Sequence, residues 1–412
     1  MQPPFFDFNL YSSLLLIGWL QGTVYAILLM ARSYRHRRLS DLFAALILLV
    51  ATFYVAQWML GFGGWYDAHD WRTTLMFYIS WDNLLLLGPL IYLYFRAVTN
   101  SAFHWSGRLA WHFLPWLLTA LPSIAAVGYD LIYLRGIAGQ PLPGFFGTRG
   151  PFRESFWLTD PAVINGLATI TYLQLITYLV VTARDYRRYR NYLTEAFSDL
   201  TGRTFTGLGS LLVVLVAGIV LTIVVAGYQS AYGEAPYVKE WFHHLTLSGM
   251  AFAAGIQFLQ VDGDRIGSLQ FRIPEVEAVS DTREADVAEN LAAIFARTQT
   301  RLGQHRDYLE PDLRLKELAE RILVQDKQLS AAINASSGQN FNDYINGLRC
   351  SYFVNLLERG DHRERTLLAL ALEAGFNSKS TFNRAFRKYY GCSPKEAIVR
   401  MNDGENLSQK MI

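Results

Sequence analysis

The chain has 412 residues, a formal net charge of +2 and a hydrophobic content of 51%. This length allows two or three domains, and the positive mean hydropathy is high for a soluble protein. The two cysteines, Cys350 and Cys392, lack the spacing of metal ligands. They give no support for a disulfide framework or a zinc site, so we expect reduced, partly buried thiols.

Seven apolar segments occupy the first 260 residues. A bilayer core about 30 Å thick needs roughly 20 apolar residues in a helix. Lipid offers no partners to unpaired backbone groups, so we expect each segment to be helical throughout, with no cleavable signal peptide before the first. The predicted spans cover residues 10–31, 40–62, 73–98, 109–134, 161–183, 207–229 and 241–260.

Basic residues in the connecting loops predict the orientation of these spans. The loops after the first, third and fifth spans contain Arg32, Arg35, Arg37, Arg38, Arg96, Arg108, Arg184, Arg187, Arg188, Arg190 and Arg203. The opposite side has only Arg72, Arg135, Arg149, Arg153 and Lys239. This bias predicts a multi-pass membrane protein with its N-terminus outside and residues 261–412 in the cytoplasm.

Polar residues inside the predicted spans are candidates for contact with a ligand or signal, because burying them in lipid is costly. Asp82, beside Asn83 in the third span, is the leading candidate. His112 lies near the inner end of the fourth span, and His243 and His244 near the outer end of the seventh. For each residue the alternative is a hydrogen bond between helices. Adjacent helical residues point about 100° apart, so the two neighbouring histidines are not expected to share a metal ion.

The remaining chain divides by composition into three parts. Residues 261–283 are mixed in character and are predicted to be a linker, and residues 403–412 a C-terminal tail. A helical pattern begins near residue 284 with Ala288, Leu291, Ala292 and Phe295. We interpret it as the first helix of a domain covering residues 284–402, although a short dimerising coil is the alternative.

Two helix-turn-helix patterns follow one another within this domain. In residues 313–349 the apolar positions of two short helices are Leu315, Leu318, Ala319, Ile322, Leu329, Ala332 and Ile333, and Gly338 ends the second helix. In residues 366–400 a compact apolar helix ends at Gly375, and Ser378 is a suitable N-cap for the next helix. Phe382 and Phe386, four residues apart, are expected to bury one face of that helix.

The second pattern closely resembles the helix-turn-helix domain of the AraC (arabinose-operon regulator) family. The resemblance rests on the order AxxxGFxSxSxFNRxF…GxSP, formed by Ala371, Gly375, Phe376, Ser378, Ser380, Phe382, Asn383, Arg384, Phe386, Gly391, Ser393 and Pro394. It extends more weakly through Leu315, Leu318, Ala319, Leu329, Gly338, Phe341, Tyr344, Ile345 and Arg349. The resemblance implies two helix-turn-helix units joined by a long helix, each placing a recognition helix in the major groove.

Candidate DNA-contacting residues follow from this resemblance and from the local excess of cations. They are Lys379, Ser380, Thr381, Asn383, Arg384, Arg387 and Lys388 in the second unit, and Lys327 and Ser330 in the first. Arginine favours guanine and asparagine favours adenine. Arg387 and Lys388 suit phosphate contact. The first recognition helix has one cation and one acid, which favours weak or shape-based reading in that groove.

The predicted fold is therefore all-α: a polytopic seven-helix transmembrane bundle followed by a cytoplasmic double helix-turn-helix domain. The predicted function is membrane-anchored, one-component transcription control, with double-stranded DNA, membrane lipids and a small-molecule or membrane-derived signal as partners. Dimerisation through the membrane part would let two arms bind adjacent sites. No catalytic residues, cofactor or metal are predicted, because the spans lack HExxH, GxSxG and SxxK motifs. The alternatives are a helix-turn-helix domain that binds a protein partner and, less favoured, an intramembrane enzyme.

Overall fold

The computed structural model describes residues 4–100, 102–200, 206–233, 237–261 and 284–403. The chain divides into two compact units, Met1–Asp185 with Thr206–Gln270, and Tyr186–Phe205 with Phe271–Ile412. Throughout the described residues the regular elements are helices, and β-pairing is limited to isolated bridges. The all-α prediction is confirmed.

Within its described residues the first unit has eight main helices, the sixth of which continues into the second unit. They are α1 (Leu10–His36), α2 (Leu39–Phe62), α3 (Trp71–Tyr78), α4 (Leu84–Thr99), α5 (Leu114–Ala126), α6 (Pro161–Ala196), α7 (Thr206–Tyr232) and α8 (Tyr237–Gln260). Helix α5 is preceded by the 3₁₀ turn Gly107–Phe113 and followed by the π-helical stretch Val127–Ile137. One further helical turn, Phe156–Thr159, precedes α6.

Five helical stretches among the described residues are long and apolar enough to cross a membrane. They are Leu10–His36, Leu39–Phe62, Gly107–Ile137, Pro161–Ala196 and Gly209–Gln229. Helix α4 is apolar but has only 16 residues, which is shorter than a bilayer core requires. The structure thus supports a polytopic membrane unit, but it does not confirm the predicted count of seven spans.

The third predicted span is not helical throughout, which corrects the expectation for residues 73–98. Helix α3 ends at Tyr78 and α4 begins at Leu84. Polar side chains satisfy backbone groups at this interruption: Asp82 Oδ1 accepts from the Leu84 N–H at 3.1 Å, and the Trp81 indole donates to the Met76 carbonyl at 2.9 Å. Asp82 and Asn83 therefore lie in the interruption between two helices, which an apolar run does not reveal.

Helices α1, α2 and α8 pack closely through small residues. A side chain added at Gly22 would meet the Thr52 methyl group at 2.2 Å, and one added at Gly18 would meet the Ser248 hydroxyl at 1.5 Å. Small residues of this kind let membrane helices approach one another. An apolar cluster that includes Leu15 on α1 then packs against α2 and α8.

An ion pair joins the ends of the same three helices. Arg32 binds both carboxylate oxygens of Asp41, at 2.7 and 2.9 Å. It also donates to the carbonyls of Phe258 and Leu259 near the C-terminus of α8. Because α8 leaves its last carbonyls without helical partners, a guanidinium here both caps the helix and neutralises Asp41, which is 5% exposed.

The described part of the second unit contains residues 186–200 and seven further helices. These are α9 (Glu284–His305), α10 (Leu315–Arg321), α11 (Asp326–Ser337), α12 (Phe341–Glu358), α13 (Leu367–Glu373), α14 (Lys379–Tyr390) and α15 (Pro394–Asn402). Helices α9 to α11 surround one apolar core, and α13 to α15 surround another. Helix α12 contributes Phe341 and Ile345 to the first core and Phe353 and Leu357 to the second, so it joins the two helix-turn-helix units.

The predicted division of the chain at residues 260, 283 and 402 stays a prediction. Nearly all of the linker and the tail, residues 262–283 and 404–412, lie outside the described residues. The structure adds one finding about the boundaries. Residues 186–205, which the apolar pattern leaves with the membrane part, group with the C-terminal unit.

Replacing Asp41 with alanine should destabilise the first unit by about 3 kcal/mol, because it leaves the Arg32 guanidinium without its counter-charge in a largely buried setting. The loss should appear as a lower Tm of the detergent-solubilised protein. Arg35→Ala is the control, since Arg35 is an exposed charged residue near the end of α1, the helix that carries Arg32. Equal Tm values for the two variants would contradict the structural role of the ion pair.

Candidate nucleic-acid interface

Helix α14, the predicted second recognition helix, is closed at both ends by its own sequence. The Ser378 hydroxyl accepts from the Thr381 N–H at 3.2 Å, which confirms the predicted N-cap. Gly391, with φ of +67°, ends the helix and donates its N–H to the Arg387 carbonyl. Between these caps Phe382 and Phe386 are buried, as predicted.

The opposite face of α14 is exposed and polar. Its exposed side chains are Lys379, Ser380, Asn383, Arg384, Arg387 and Lys388. Arg384, Asn383 and Lys379 have neither a hydrogen bond nor an ion pair from their side chains within the described part of the chain. A guanidinium and an amide held on a rigid, exposed helix face are the groups that read guanine and adenine edges in a major groove.

Two residues predicted to contact DNA are engaged within the protein. Thr381 is 5% exposed and belongs to the N-cap network around Ser378, and its contact with DNA stays a prediction. Lys388 is exposed, but its ammonium group pairs with Asp343 on α12 at 2.7 Å. Tyr389 donates its hydroxyl to the Asp343 carbonyl at 2.6 Å. These two contacts fix α14 to α12.

A cleft of about 930 Å³ lies beside the exposed face of α14. Its walls include the starts of α13 and α15, and its lining residues are Thr366, Leu367, Leu368, Lys379, Phe382, Asn383, Arg384, Arg387, Lys388, Ser393, Pro394 and Lys395. Ser393 and Glu396 form a capping box at the start of α15. Hydrogen bonds from the Ser393 backbone and side chain hold the pKa of Glu396 below its usual value, and it therefore stays ionised at neutral pH. All five charged residues that line the cleft are cations, which suits a phosphate backbone.

The first recognition helix, α11, has the same local design with a different surface. Leu329, Ala332 and Ile333 are buried, and Gly338 ends the helix with φ of +67°. Lys327 is exposed and Ser330 is partly exposed, so both predicted contacts are accessible. The remaining exposed side chains are neutral except for Asp326. This face therefore lacks the cationic excess of α14.

A buried arginine on α12 holds the two halves of the domain together. Arg349 is 0% exposed, and burial lowers its pKa to about 10, so it is still cationic at neutral pH. It donates to the carbonyls of Tyr308 and Glu310 at 2.7 Å, before the first helix-turn-helix unit. Its guanidinium carbon lies 5.8 Å from the ring centre of Phe376 in the second helix-turn-helix. The sequence indicates Arg349 only through the family resemblance, and it does not predict these contacts.

The residues proposed as signal contacts all lie in the first unit. Asp82 is exposed, and Asn83 donates to the Ser80 carbonyl and accepts from the Trp116 indole at 2.7 Å. His112 Nδ1 lies 2.6 Å from the Tyr178 hydroxyl. These contacts fit the alternative prediction of hydrogen bonds between structural elements for Asn83 and His112.

The two adjacent histidines belong to an aromatic cluster. His243 and His244 are both buried, and the His244 ring stacks on Trp58 and Tyr54 at 4.6 and 5.0 Å. Its Nδ1 lies 2.9 Å from the Glu240 carbonyl oxygen. The described residues contain no group of three or more His, Cys, Asp or Glu side chains placed to hold a metal ion.

Two glycines in the second helix-turn-helix unit provide a matched stability test. Both have positive φ, +90° at Gly375 and +67° at Gly391, but only at Gly375 would a methyl group meet backbone atoms, those of Leu309 at 2.8–2.9 Å. Gly391→Ala should cost about 1 kcal/mol, and Gly375→Ala about 3 kcal/mol or more. Amide exchange in α14 of the solubilised protein measures both. Equal losses would show that the approach to Leu309 does not constrain the turn.

Comparison with known proteins agrees with this geometry. Residues 318–398 match a protein family described as a helix-turn-helix domain. The chain is 25% identical over 179 residues to the HTH-type transcriptional regulator CdhR of Pseudomonas aeruginosa. This match covers 41% of this chain and 52% of that protein. The chain is 26% identical over 90 residues to the HTH-type transcriptional activator RhaS of Mannheimia succiniciproducens. This second match covers 22% of this chain and 32% of that protein.

The chain thus spans about half the length of the first relative and a third of the second. No solved structure matches it significantly. The matched residues contain both recognition helices, the joining helix α12 and the buried Arg349. The C-terminal part of the chain is a helix-turn-helix domain of the AraC family.

Proposed function

We propose that this protein is a membrane-embedded transcriptional regulator whose C-terminal domain binds promoter DNA under control of its apolar helices. The observation that carries the proposal is the exposed face of α14, on which Arg384, Asn383 and Lys379 have no side-chain partner within the described chain. Ordered cations and amides without internal partners are ready to bind a ligand, and their chemistry matches base edges and phosphates. The printed names of both relatives describe transcriptional regulators.

The two recognition helices are proposed to enter successive major grooves about 34 Å apart on one face of the duplex. Helix α12 contributes to both apolar cores, so it acts as the spacer between them. In this arrangement α14 supplies most of the sequence discrimination. Helix α11, with one exposed lysine and mainly neutral groups, positions the protein and responds to DNA shape.

The membrane part is proposed to sense a signal and to anchor the DNA-binding domain at the inner membrane. The five long apolar helices supply the anchor, and the basic loops favour a cytoplasmic C-terminus. Asp82, Asn83, His112, His243 and His244 are the proposed signal contacts. A ligand that prefers one packing of these helices would shift the population of DNA-binding states. Dimerisation through the membrane part would bring two arms to adjacent sites.

Arg384→Ala should raise the Kd for a selected operator by about 10- to 100-fold, because it removes a side chain able to bind guanine through two hydrogen bonds. Lys327→Ala, the matched change on α11, should raise it less than about threefold. Quantitative footprinting of the full chain in nanodiscs, on an operator selected from genomic fragments, measures both values. The reverse order of the two effects would contradict the proposed division of labour.

The same titration repeated at several salt concentrations separates DNA recognition from protein recognition. A cationic cleft that binds phosphates predicts a steep negative slope of log K against log salt. A flat slope without sequence preference would favour the alternative, a helix-turn-helix domain that binds a protein partner.

A reporter fused after Ile412 tests the proposed orientation. Alkaline phosphatase, which is active only in an oxidising compartment, should be inactive there, and a cytoplasmic fluorescent protein should be bright. A fusion made directly before the first helix, ahead of Leu10, should show the opposite pattern. Phosphatase activity at the C-terminus would place the domain away from the chromosome and defeat the gene-control proposal.

A further inference from the structure

A short segment directly after helix α6 is buried within the second unit. Residues 197–200, here called the docking segment, have exposed fractions of 8% or less. The residue before this segment, Ala196, is the last residue of α6. Helix α6 begins at Pro161, in the first unit. A segment that follows a predicted membrane span by sequence is therefore part of the core of the DNA-binding unit.

Helix α12 provides a polar slot for the backbone of this segment. Asn342, Asn346 and Arg349 are spaced by four and three residues, so they lie on one face of the helix. The Asn342 amide donates to the carbonyls of Phe197 and Ser198 at 3.1 and 2.8 Å. Asn346 donates to the same Ser198 carbonyl, and Arg349 to the Ser198 hydroxyl at 3.1 Å.

The docking segment also binds the start of the first helix-turn-helix unit. Ser198 donates its N–H to the Leu313 carbonyl at 3.2 Å, and Phe197 forms an antiparallel bridge with Arg314. The Arg314 guanidinium carbon lies 5.7 Å from the centre of the Phe197 ring. The segment therefore braces the residues that begin α10 against the joining helix α12.

The slot is a specific arrangement rather than a generic apolar contact. Asn342 and Asn346 are 8% and 4% exposed, and burying an amide without partners is costly. The segment's carbonyls satisfy these amides, and Asp199 is among the charges that favour the ionised form of Arg349. Withdrawing the segment would remove both carbonyl partners of the Asn342 amide and one partner each of Asn346 and Arg349. Asn346 and Arg349 would keep their bond to each other, and Arg349 its bonds to the Tyr308 and Glu310 carbonyls.

Helix α6 has 36 residues, and only about 20 are needed to cross a bilayer core. A continuous helix of this length reaches beyond the core and ends at the docking segment. A change in the position or rotation of this span would be passed along the helix, since helical backbone is stiff relative to an irregular linker.

We propose that residues 197–200 are the input contact through which the membrane helices set the relative placement of the two recognition helices. Occupancy of the slot by the docking segment fixes the first helix-turn-helix unit against α12, and its release frees that unit. The signal thus enters by way of α6 rather than through the linker after α8. This inference rests on the proposed function for its DNA readout.

The test compares two operators that differ by one added base pair between the two half-sites. The extra pair rotates one half-site by about 36° relative to the other, so a rigid domain should bind it at least about tenfold more weakly. In Asn342→Leu with Asn346→Leu, the ratio of the two Kd values should fall below about threefold. Asn355→Leu, an exposed position on the same helix, should keep the ratio of the original chain.

A merely structural role for the slot would weaken binding to both operators in parallel and leave the ratio unchanged, which would overturn the proposal. So would unchanged Kd values for both operators. All measurements use the full chain in nanodiscs of phosphatidylethanolamine and phosphatidylglycerol.

A second experiment does not depend on DNA and keeps every slot side chain. One alanine inserted after Asn191 rotates the docking segment by about 100° relative to the preceding part of α6. It should increase amide exchange across α10 and α12, whereas the same insertion after Gln260 at the end of α8 should not. Equal effects of the two insertions would overturn the input route through α6.

If the original chain binds no operator selectively, the proposed function fails, and amide exchange alone decides the docking contact.

Discussion

A single buried guanidinium organises the DNA-binding unit. Arg349 donates to backbone carbonyls before the first helix-turn-helix, to Asn346 on its own helix and to Ser198 of the docking segment, and it lies near Phe376 of the second unit. Removing a guanidinium from water is costly, and only several well-placed acceptors offset that cost. A lysine would present three donors from one point, without the planar fork that reaches separate segments. Arg349 thus contacts parts of the unit that lie far apart in the sequence.

The two recognition helices differ in surface chemistry while sharing a backbone design. Each is capped at its start and ended by a glycine with positive φ. Helix α14 presents cations and an amide, whereas α11 presents mainly neutral groups. The interaction of Lys388 with Asp343 shows that one of the cations stabilises the attachment of α14 to α12. Charge on a recognition helix therefore serves both attachment and binding, and exposure alone does not distinguish them.

In the first unit, which contains the long apolar helices, polar side chains lie at the ends and interruptions of helices. Arg32 binds Asp41 and the last carbonyls of α8, so a residue that the loop count treats only as a topology signal is also a helix cap. Asp82 and Asn83 satisfy backbone groups between α3 and α4. Both follow from one constraint, that backbone groups without partners are costly where water is scarce.

The sequence by itself determined the all-α class, the apolar N-terminal part, the start of α14 at Ser378 and its buried phenylalanines. These features depend on local periodicity and on caps, which act within a few residues. Tertiary structure alone decided the break at residues 79–83, the burial of Thr381 and the partner of Lys388. It also placed the docking segment in a slot formed by residues about 150 positions later, from Asn342 to Arg349. Such long-range pairing leaves no periodic trace, because its specificity lies in backbone carbonyls that every residue possesses.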